Sequence, residues 1–399
     1  MNLYLNSMRK NFLFVFLLLL TAVSCDSHID RELARTTKNV METARKQMIA
    51  MAGTLKEGEC PRSYENGKLV TSNIYWWCSG FYPGSMWYVY EYTASDEILS
   101  LARKYTEILE PLKDVTTDHD IGFQLFCSYG NGFRLTGDEK YLEVLRQGAH
   151  SLASRFNPVV GSIRSWDFKR HIWDFPVIID NMMNLELIAW VAGQDNDDKL
   201  RDIAIKHADT AMQNHFREDF STWHLVDYNP ATGEIRGKQT VQGYSDDSRW
   251  ARGQSWALYG FTMMYRMTGK TEYLDRAEKV ASLLIPLLPE DGIPYWDYDS
   301  PKIPDDVRDA SSAAIMASAL VELSDYLPSR KDEFLAVARK QIMTLASPEY
   351  LAEPGTNGNF LLKHSVGNVN ANSEVDVPLT YADYYFLEAL VRFEKKNRK

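Results

Sequence analysis

The chain is 399 residues long, with 44 Lys and Arg against 54 Asp and Glu, a formal charge of −10. Apolar residues at 45% and charged residues at 25% exclude a disordered or fibrous chain, and the acidic balance argues against a nucleic-acid binder, which needs a basic face to displace counterions. The 17 Phe, 10 Trp and 22 Tyr exceed what a core needs, and amphipathic rings are the usual lining of pockets for large polar ligands.

At the N-terminus Met8-Arg9-Lys10 precedes an apolar run from Phe12 to Leu20, and small residues then lead to Cys25. A basic segment, a short apolar run and a small-residue site make a secretory signal, too short to span a bilayer. Ala22-Val23-Ser24-Cys25 is similar to a bacterial lipobox. That predicts removal of residues 1–24 and lipid attachment at Cys25, with the protein in the periplasm or at the cell surface. An ordinary cleaved signal with an incidental cysteine is the alternative. No Pro/Ser-rich linker divides the rest, so residues 25–395 are expected to form one domain.

Leu33, Val40, Met41, Ala44 and Met48 place an apolar stripe on a first helix that closes near Gly53. Cys60, Cys78 and Cys127 are odd in number and show no metal-ligand spacing, so buried free thiols are expected. The histidines form no HExxH pattern, and a site without metal or cofactor is predicted.

A turn sequence then recurs. Tyr92-Thr-Ala-Ser-Asp-Glu-Ile-Leu99 resembles Leu135-Thr-Gly-Asp-Glu-Lys-Tyr-Leu142 and Met267-Thr-Gly-Lys-Thr-Glu-Tyr-Leu274, with degenerate copies at Val191-Ala-Gly-Gln and Tyr326-Leu-Pro-Ser. Each ends one helix and caps the next. The helix before the turn is apolar and aromatic, the one after it amphipathic. A buried helix alternating with a half-exposed one predicts stacked helical hairpins, as an open solenoid or a closed ring. Gly- and aromatic-rich segments before each buried helix favour the closed α/α toroid with a lined mouth.

Candidate chemistry follows in chain order. Trp76-Trp77-Cys-Ser-Gly80-Phe81, Trp166 and Trp223-His224 place rings beside glycine or in presumed loops, which points to a carbohydrate cleft. Asp120 opens an apolar helix in His119-Asp120-Ile-Gly122-Phe123, where it could also be a simple N-cap. Pro176 suits the first turn of another helix, putting Asp180 one turn later among Val177, Ile178, Ile179, Met182 and Met183. A carboxyl there must be hydrogen-bonded or have a raised pKa. Two carboxyls in unlike surroundings suit acid–base chemistry. Arg252 and Trp256, four apart, would share a helix face, a cation and a ring fitting an anionic sugar. A surface Arg and a core Trp are the plainer reading.

At these residues the chain resembles the unsaturated glucuronyl hydrolases, glycoside hydrolase family 88. The matches are Trp77-x-x-Gly80-Phe81, His119-Asp120-x-Gly122-Phe123, Asp180-Asn-Met-Met-Asn-Leu-Glu-Leu, Gln242-Gly through Trp256-Ala-x-Tyr-Gly260, and Glu374-Val-Asp-Val with Tyr381-Ala-Asp-Tyr-Tyr. The resemblance implies an (α/α)6 barrel. It also implies removal of a 4,5-unsaturated uronic acid from the non-reducing end of polysaccharide-lyase products, by hydration of the vinyl ether. Asp180 takes the place of the general acid–base, and Asp120 that of the second essential aspartate. Trp77, His119, Trp166, His224, Gln242, Arg252 and Trp256 take substrate-site positions. Members that prefer 6-sulfated chondroitin disaccharides carry Ser-x-x-Ser-x-Lys, where this chain reads Ser365-Val-Gly-Asn368-Val-Asn370.

Three other readings compete. An unsaturated rhamnogalacturonyl hydrolase would share barrel and chemistry, and a glycan-binding lipoprotein would keep the Trp sites without turnover. A sugar epimerase would want a histidine pair, for which His119 and His224 are the only well-placed candidates.

Overall fold

A computed structural model describes residues 31–397; the predicted signal segment and Cys25 lie outside the described residues. The first helix, α1 (residues 31–52), buries the stripe read from its sequence. Beyond it the recurring turn closes helical hairpins, four of them through a left-handed residue and three of those with a capping side chain next to it. Ala94 (φ 52°) and Ser95 join α2 (Phe81–Thr93) to α3 (Asp96–Glu107), with Ser95 Oγ accepting from the Ile98 N–H. Gly137 (φ 66°) and Asp138 join α4 (Ile121–Leu125) and α5 (Asn131–Thr136), continuous through a π turn over Phe126–Gly130, to α6 (Glu139–Ala153). Asn196 (φ 55°) and Asp197 join α7 (Asn181–Asp195) to α8 (Asp198–Asn214). Gly269 (φ 70°) joins α9 (Ala251–Thr268) to α10 (Thr271–Leu284). The degenerate copy with Pro328 lies between α11 (Ala310–Leu323) and α12 (Lys331–Leu345), and α13 (Thr380–Asn397) follows.

Composition decides which member of each pair is inside. Every residue of α11 is buried, as are the first 14 residues of α9. By contrast α3 buries only Ile98, Ala102, Tyr105 and Thr106, so it can cover a core but not fill one. The inner helices α2, α4–α5, α7, α9, α11 and α13 touch in that order, and α13 returns against α2. Six helices close the ring, with amphipathic partners outside, in an (α/α)6 barrel. One apolar cluster runs through it from Leu33 to Phe393. Cys60, Cys78 and Cys127 are buried and unpaired. Among the described residues no helix is long and apolar enough to cross a membrane.

The strands are short and sit in the connections leading into inner helices. β1 (Cys60–Glu65) and β2 (Lys68–Ser72) precede α2; β3 (Phe156–Asn157), β4 (Ser162–Ile163) and β5 (Pro176–Ile178) precede α7. β6 (Leu225–Tyr228) and β7 (Ile235–Gln239) precede α9, and β8 (Ser365–Asn368) with β9 (Ser373–Val377) precedes α13. Here one expectation is corrected. Pro176 does not open a helix: Pro176, Val177 and Ile178 pair with Asp227, Val226 and Leu225 in an antiparallel sheet. An apolar run buried on both faces suits either structure, and the β-branched Val177 and Ile178 tip it to strand.

Candidate active site

An outer helix running back lies between each inner helix and the next, so all six inner helices point the same way. Their N-terminal ends gather at one mouth around a cavity of about 400 Å³. Trp77 enters it from the segment before α2, Asp118 and Asp120 from before α4, Asp180 from before α7, Arg252 from the first turn of α9, and Tyr381 from that of α13.

Asp120 and Asp180 occupy the N-cap positions of α4 and α7, yet neither side chain caps its helix. Both carboxyls are therefore left to the cavity. Burial lifts Asp180 to about 7, against the opposing pull of Arg252, and burial lifts Asp120 to about 6, against the hydrogen bond from Asn184. Asp118, half-buried beside Asp120, is lifted to about 6 by desolvation and then by the Asp120 charge.

Asn184, one turn into α7, links the two acid-bearing helices. Its Oδ1 accepts the Phe123 N–H at 2.7 Å, which fixes the amide orientation. Nδ2 then donates to Asp120 Oδ1 at 3.2 Å and lies 3.4 Å from His119 Nδ1. With Nδ1 facing a donor, the His119 proton sits on Nε2, 3.4 Å from Asp120 Oδ1. Burial holds His119 down at about 4, and so neutral. The approach depends on Gly122, because a Cβ there would lie 2.6 Å from the Asn184 backbone and side chain. Gly122→Ala is expected to push Asn184 off Asp120 and lower kcat by about a hundredfold, since displacements near 1 Å in a catalytic site cost that much. A kcat within twofold of wild type would remove Asn184 from the machinery.

His224 shows the same tautomer logic. Its Nδ1 accepts from the Val241 and Gln242 N–H groups at 3.0 and 3.3 Å, leaving the proton on Nε2, 3.8 Å from Asp180 Oδ2. Burial and the nearby Arg252 charge drop it to about 3. Arg252 is itself buried. Nη1 donates to Val366 O and Nη2 to Gly367 O at 2.9 Å, while Asp309 Oδ2 lies 3.7 Å away. Two of its five donors are thus held by β8, and the rest stay available.

The structure sorts the predicted residues. Trp77, Asp120, Trp166, Asp180, Gln242 and Arg252 line the cavity. His119, His224 and Trp256 stand behind its wall, at 1%, 4% and 0% exposure. Trp256 has no ring face open to a sugar: it lies in the fully buried part of α9, and its indole packs on Phe123 and Tyr385, with centroids 5.3 Å away. The ring beside Arg252 is instead Trp250, 4.5 Å from the guanidinium and 4.6 Å from His224. Trp223 lies away from the cavity under Arg217, 4.0 Å off. Trp166 stacks on Phe168 at 4.8 Å, with Trp173 buried behind at 5.6 Å. Sequence reasoning missed Asn184, Asp118, Trp250 and Arg62, although the spacing of Asn184 four residues after Asp180 was a usable signal.

Among the described residues, Asp118, His119 and Asp120 form one group whose ligand atoms fall within 4.8 Å of one another. The Asn184 amide donor faces both His119 Nδ1 and Asp120 Oδ1, which sets a proton where a cation would need lone pairs.

The sequence profile of Glycosyl Hydrolase Family 88 matches residues 50–397. A curated unsaturated glucuronyl hydrolase of Formosa agariphila is 44% identical over 319 residues, 79% of this chain and 79% of its own length. Among solved structures, an unsaturated glucuronyl hydrolase described as specific for heparin superposes with a TM-score of 0.89 at 43% identity, over 92% of this chain and 98% of the other. A mutant unsaturated glucuronyl hydrolase of Streptococcus agalactiae, complexed with dGlcA-GalNAc6S, superposes with a TM-score of 0.78 at 28% identity, over 90% and 92% of the two chains.

Proposed function

The chain belongs to glycoside hydrolase family 88 and is a glycosidase of unsaturated uronyl groups, and from that premise we propose how its residues divide the reaction. The substrate is a lyase product with a 4,5-unsaturated uronic acid at its non-reducing end. Asp180 protonates C4, which leaves oxocarbenium character at C5. It then takes a proton from the water that attacks C5. The hemiketal opens to a keto sugar and releases the remaining saccharide. One carboxyl serves both steps because it is protonated before the first and ionised before the second. The observation that carries this reading is a half-buried carboxyl, not spent on capping its helix, on the wall of an aromatic-lined cavity, where desolvation favours its protonated form. Arg252 faces the uronate carboxylate. Asp120, held by Asn184, receives substrate hydroxyls, and His224 Nε2–H steadies the Asp180 carboxylate after it has given its proton. Trp77 and Trp166 offer ring faces to the sugars.

Glycosaminoglycan disaccharides are the proposed substrates, supported by the dGlcA-GalNAc6S complex of the Streptococcus agalactiae relative. A strong 6-sulfate preference is not proposed. Asn370, where sulfate-preferring members carry Lys, donates to Gly243 O at 2.7 Å, so it braces a loop and offers no charge. A panel of lyase products from chondroitin, hyaluronan, heparin, ulvan and pectin tests this, read as loss of the ultraviolet absorbance of the C4=C5 bond. Unsulfated glycosaminoglycan disaccharides are expected to be consumed at least as fast as 6-sulfated ones. Consumption of pectin products alone would replace this reading with the rhamnogalacturonyl one.

Localisation is proposed on the N-terminal sequence: a lipid anchor at Cys25 in the periplasm or at the cell surface. Cys25→Ser is expected to abolish labelling by a fatty acid and to move the protein to the soluble fraction. Unchanged labelling would end that proposal.

A further inference from the structure

Glu374-Val-Asp-Val has no role in the scheme above, and its backbone is unusual. In and just before β9, Asn372, Glu374 and Asp376 take φ of 46°, 57° and 56°. Side chains with a Cβ rarely adopt that left-handed region, and it persists only where surroundings enforce it. Each acid of the motif has such a support. Glu374 Oε1 accepts from Nε and Nη2 of Arg62 on β1 at 3.0 and 2.7 Å, both side chains being largely buried. Asp376 Oδ1 lies 2.7 Å from Nδ1 of His364, itself at φ 61°. Arg62 in turn lies over the Trp76 ring, 4.0 Å from its centroid. Arg62, Trp76 and Glu374 all border the cavity.

The strand opposite carries the site. β8 presents Val366 O and Gly367 O to Arg252, and Gly367 O also accepts from Gln242 Nε2 at 3.2 Å. Glu374 presses directly on that residue: a Cβ on Gly367 would lie 2.5 Å from Glu374 Oε2 and 2.7 Å from its Cβ. One carbonyl therefore supports two cavity residues, and one carboxylate backs the α-carbon beside it. The ion pair also joins the hairpin at the start of the barrel to the hairpin at its end.

We propose that Glu374, held by Arg62, is a positioning residue that fixes the Gly367 carbonyl and through it the placement of Arg252 and Gln242 against the substrate. This rests on the reading of Arg252 as the cation facing the uronate. A mere structural brace would alter stability alone, whereas a positioning residue alters affinity for the sugar.

Binding is measured first in an Asp180→Asn background, by calorimetry with an unsaturated disaccharide. Adding Glu374→Gln, which is nearly isosteric, is expected to weaken binding about tenfold. Arg62→Gln should do the same, and the two together should cost no more than either alone, because they act through one contact. Arg62→Lys should recover part of the loss. Unchanged affinity in Glu374→Gln, with only Tm lowered, overturns the proposal, and so do additive losses, which would mean separate contacts with the sugar. In the active background the expected change is a rise in KM of similar size with kcat nearly kept; a fall in kcat alone also overturns it. A wild type that binds these disaccharides without consuming them refutes the proposed function and leaves the binding comparison able to decide this one.

Discussion

Asp180→Asn is expected to lower turnover of unsaturated disaccharides by roughly a thousandfold or more, the range for losing a general acid–base, while making the protein more stable above neutral pH. The two effects share one cause. Asparagine fills the same space but neither gives nor takes the proton that C4 and the attacking water require. In the folded chain Asp180 sits at about 7 against an ordinary value of 3.8, so its ionised form is the disfavoured one. A carboxyl raised on folding binds its proton more tightly in the folded state. Stability is then greatest below the unfolded value and is lost as pH rises from about 4 to about 7. At pH 8 the variant escapes that penalty, on the order of 2 to 4 kcal/mol, and Tm should rise by a few degrees; near pH 4 the two proteins should melt alike. Full activity in the variant, or a lower Tm at pH 8, would count against this account. In the wild type the alkaline limb of kcat/KM should fall near 7, with an acid limb near 6 belonging to Asp118 and Asp120 as a coupled pair.

Arg252→Gln is the second large change. The guanidinium is the leading influence that opposes the rise of Asp180, so without it the alkaline limb should move to higher pH. Affinity for the uronate should weaken about 10- to 100-fold in KM, in line with removing one partner of a desolvated charge pair. Stability should drop as well, because Asp309, fully buried 3.7 Å away, is left without its cation. An unmoved limb in a folded variant would show that Arg252 does not tune Asp180. The change in KM has to be read together with the melting curve, since Val366 and Gly367 also lose a donor and β8 is free to shift.

Local features of the fold were readable because they act over a few residues. The Gly turns at 137 and 269 required a left-handed joint, and the inner and outer helices differ plainly in apolar content. Asp120 and Asp180 were found for the same reason, as carboxyls in apolar company. What failed depended on ring closure. The spacing of Arg252 and Trp256 puts them on one helix face, but both positions of α9 are buried, and Arg252 turns to Val366 and Gly367 across the barrel. Val177 and Ile178 became strand because β6 was there to pair with them. Asn184 belongs to the motif that opens at Asp180, but its task is not legible there, since its partners Phe123 and Asp120 lie more than sixty positions away in the chain.

The common direction of the six inner helices also bears on how a chain of charge −10 takes an anionic sugar. Every peptide dipole in the ring points its positive end at the mouth, and each helix contributes roughly half an elementary charge there. The substrate thus meets a field made of backbone, which no count of side chains reveals and no single substitution removes. At the far end the sum is negative. Arg134, Arg266 and Lys395 stand in the last turns of α5, α9 and α13, where cations are favoured. The barrel is polarised along its axis, and raising ionic strength should weaken capture of the uronate even though the chain as a whole is acidic.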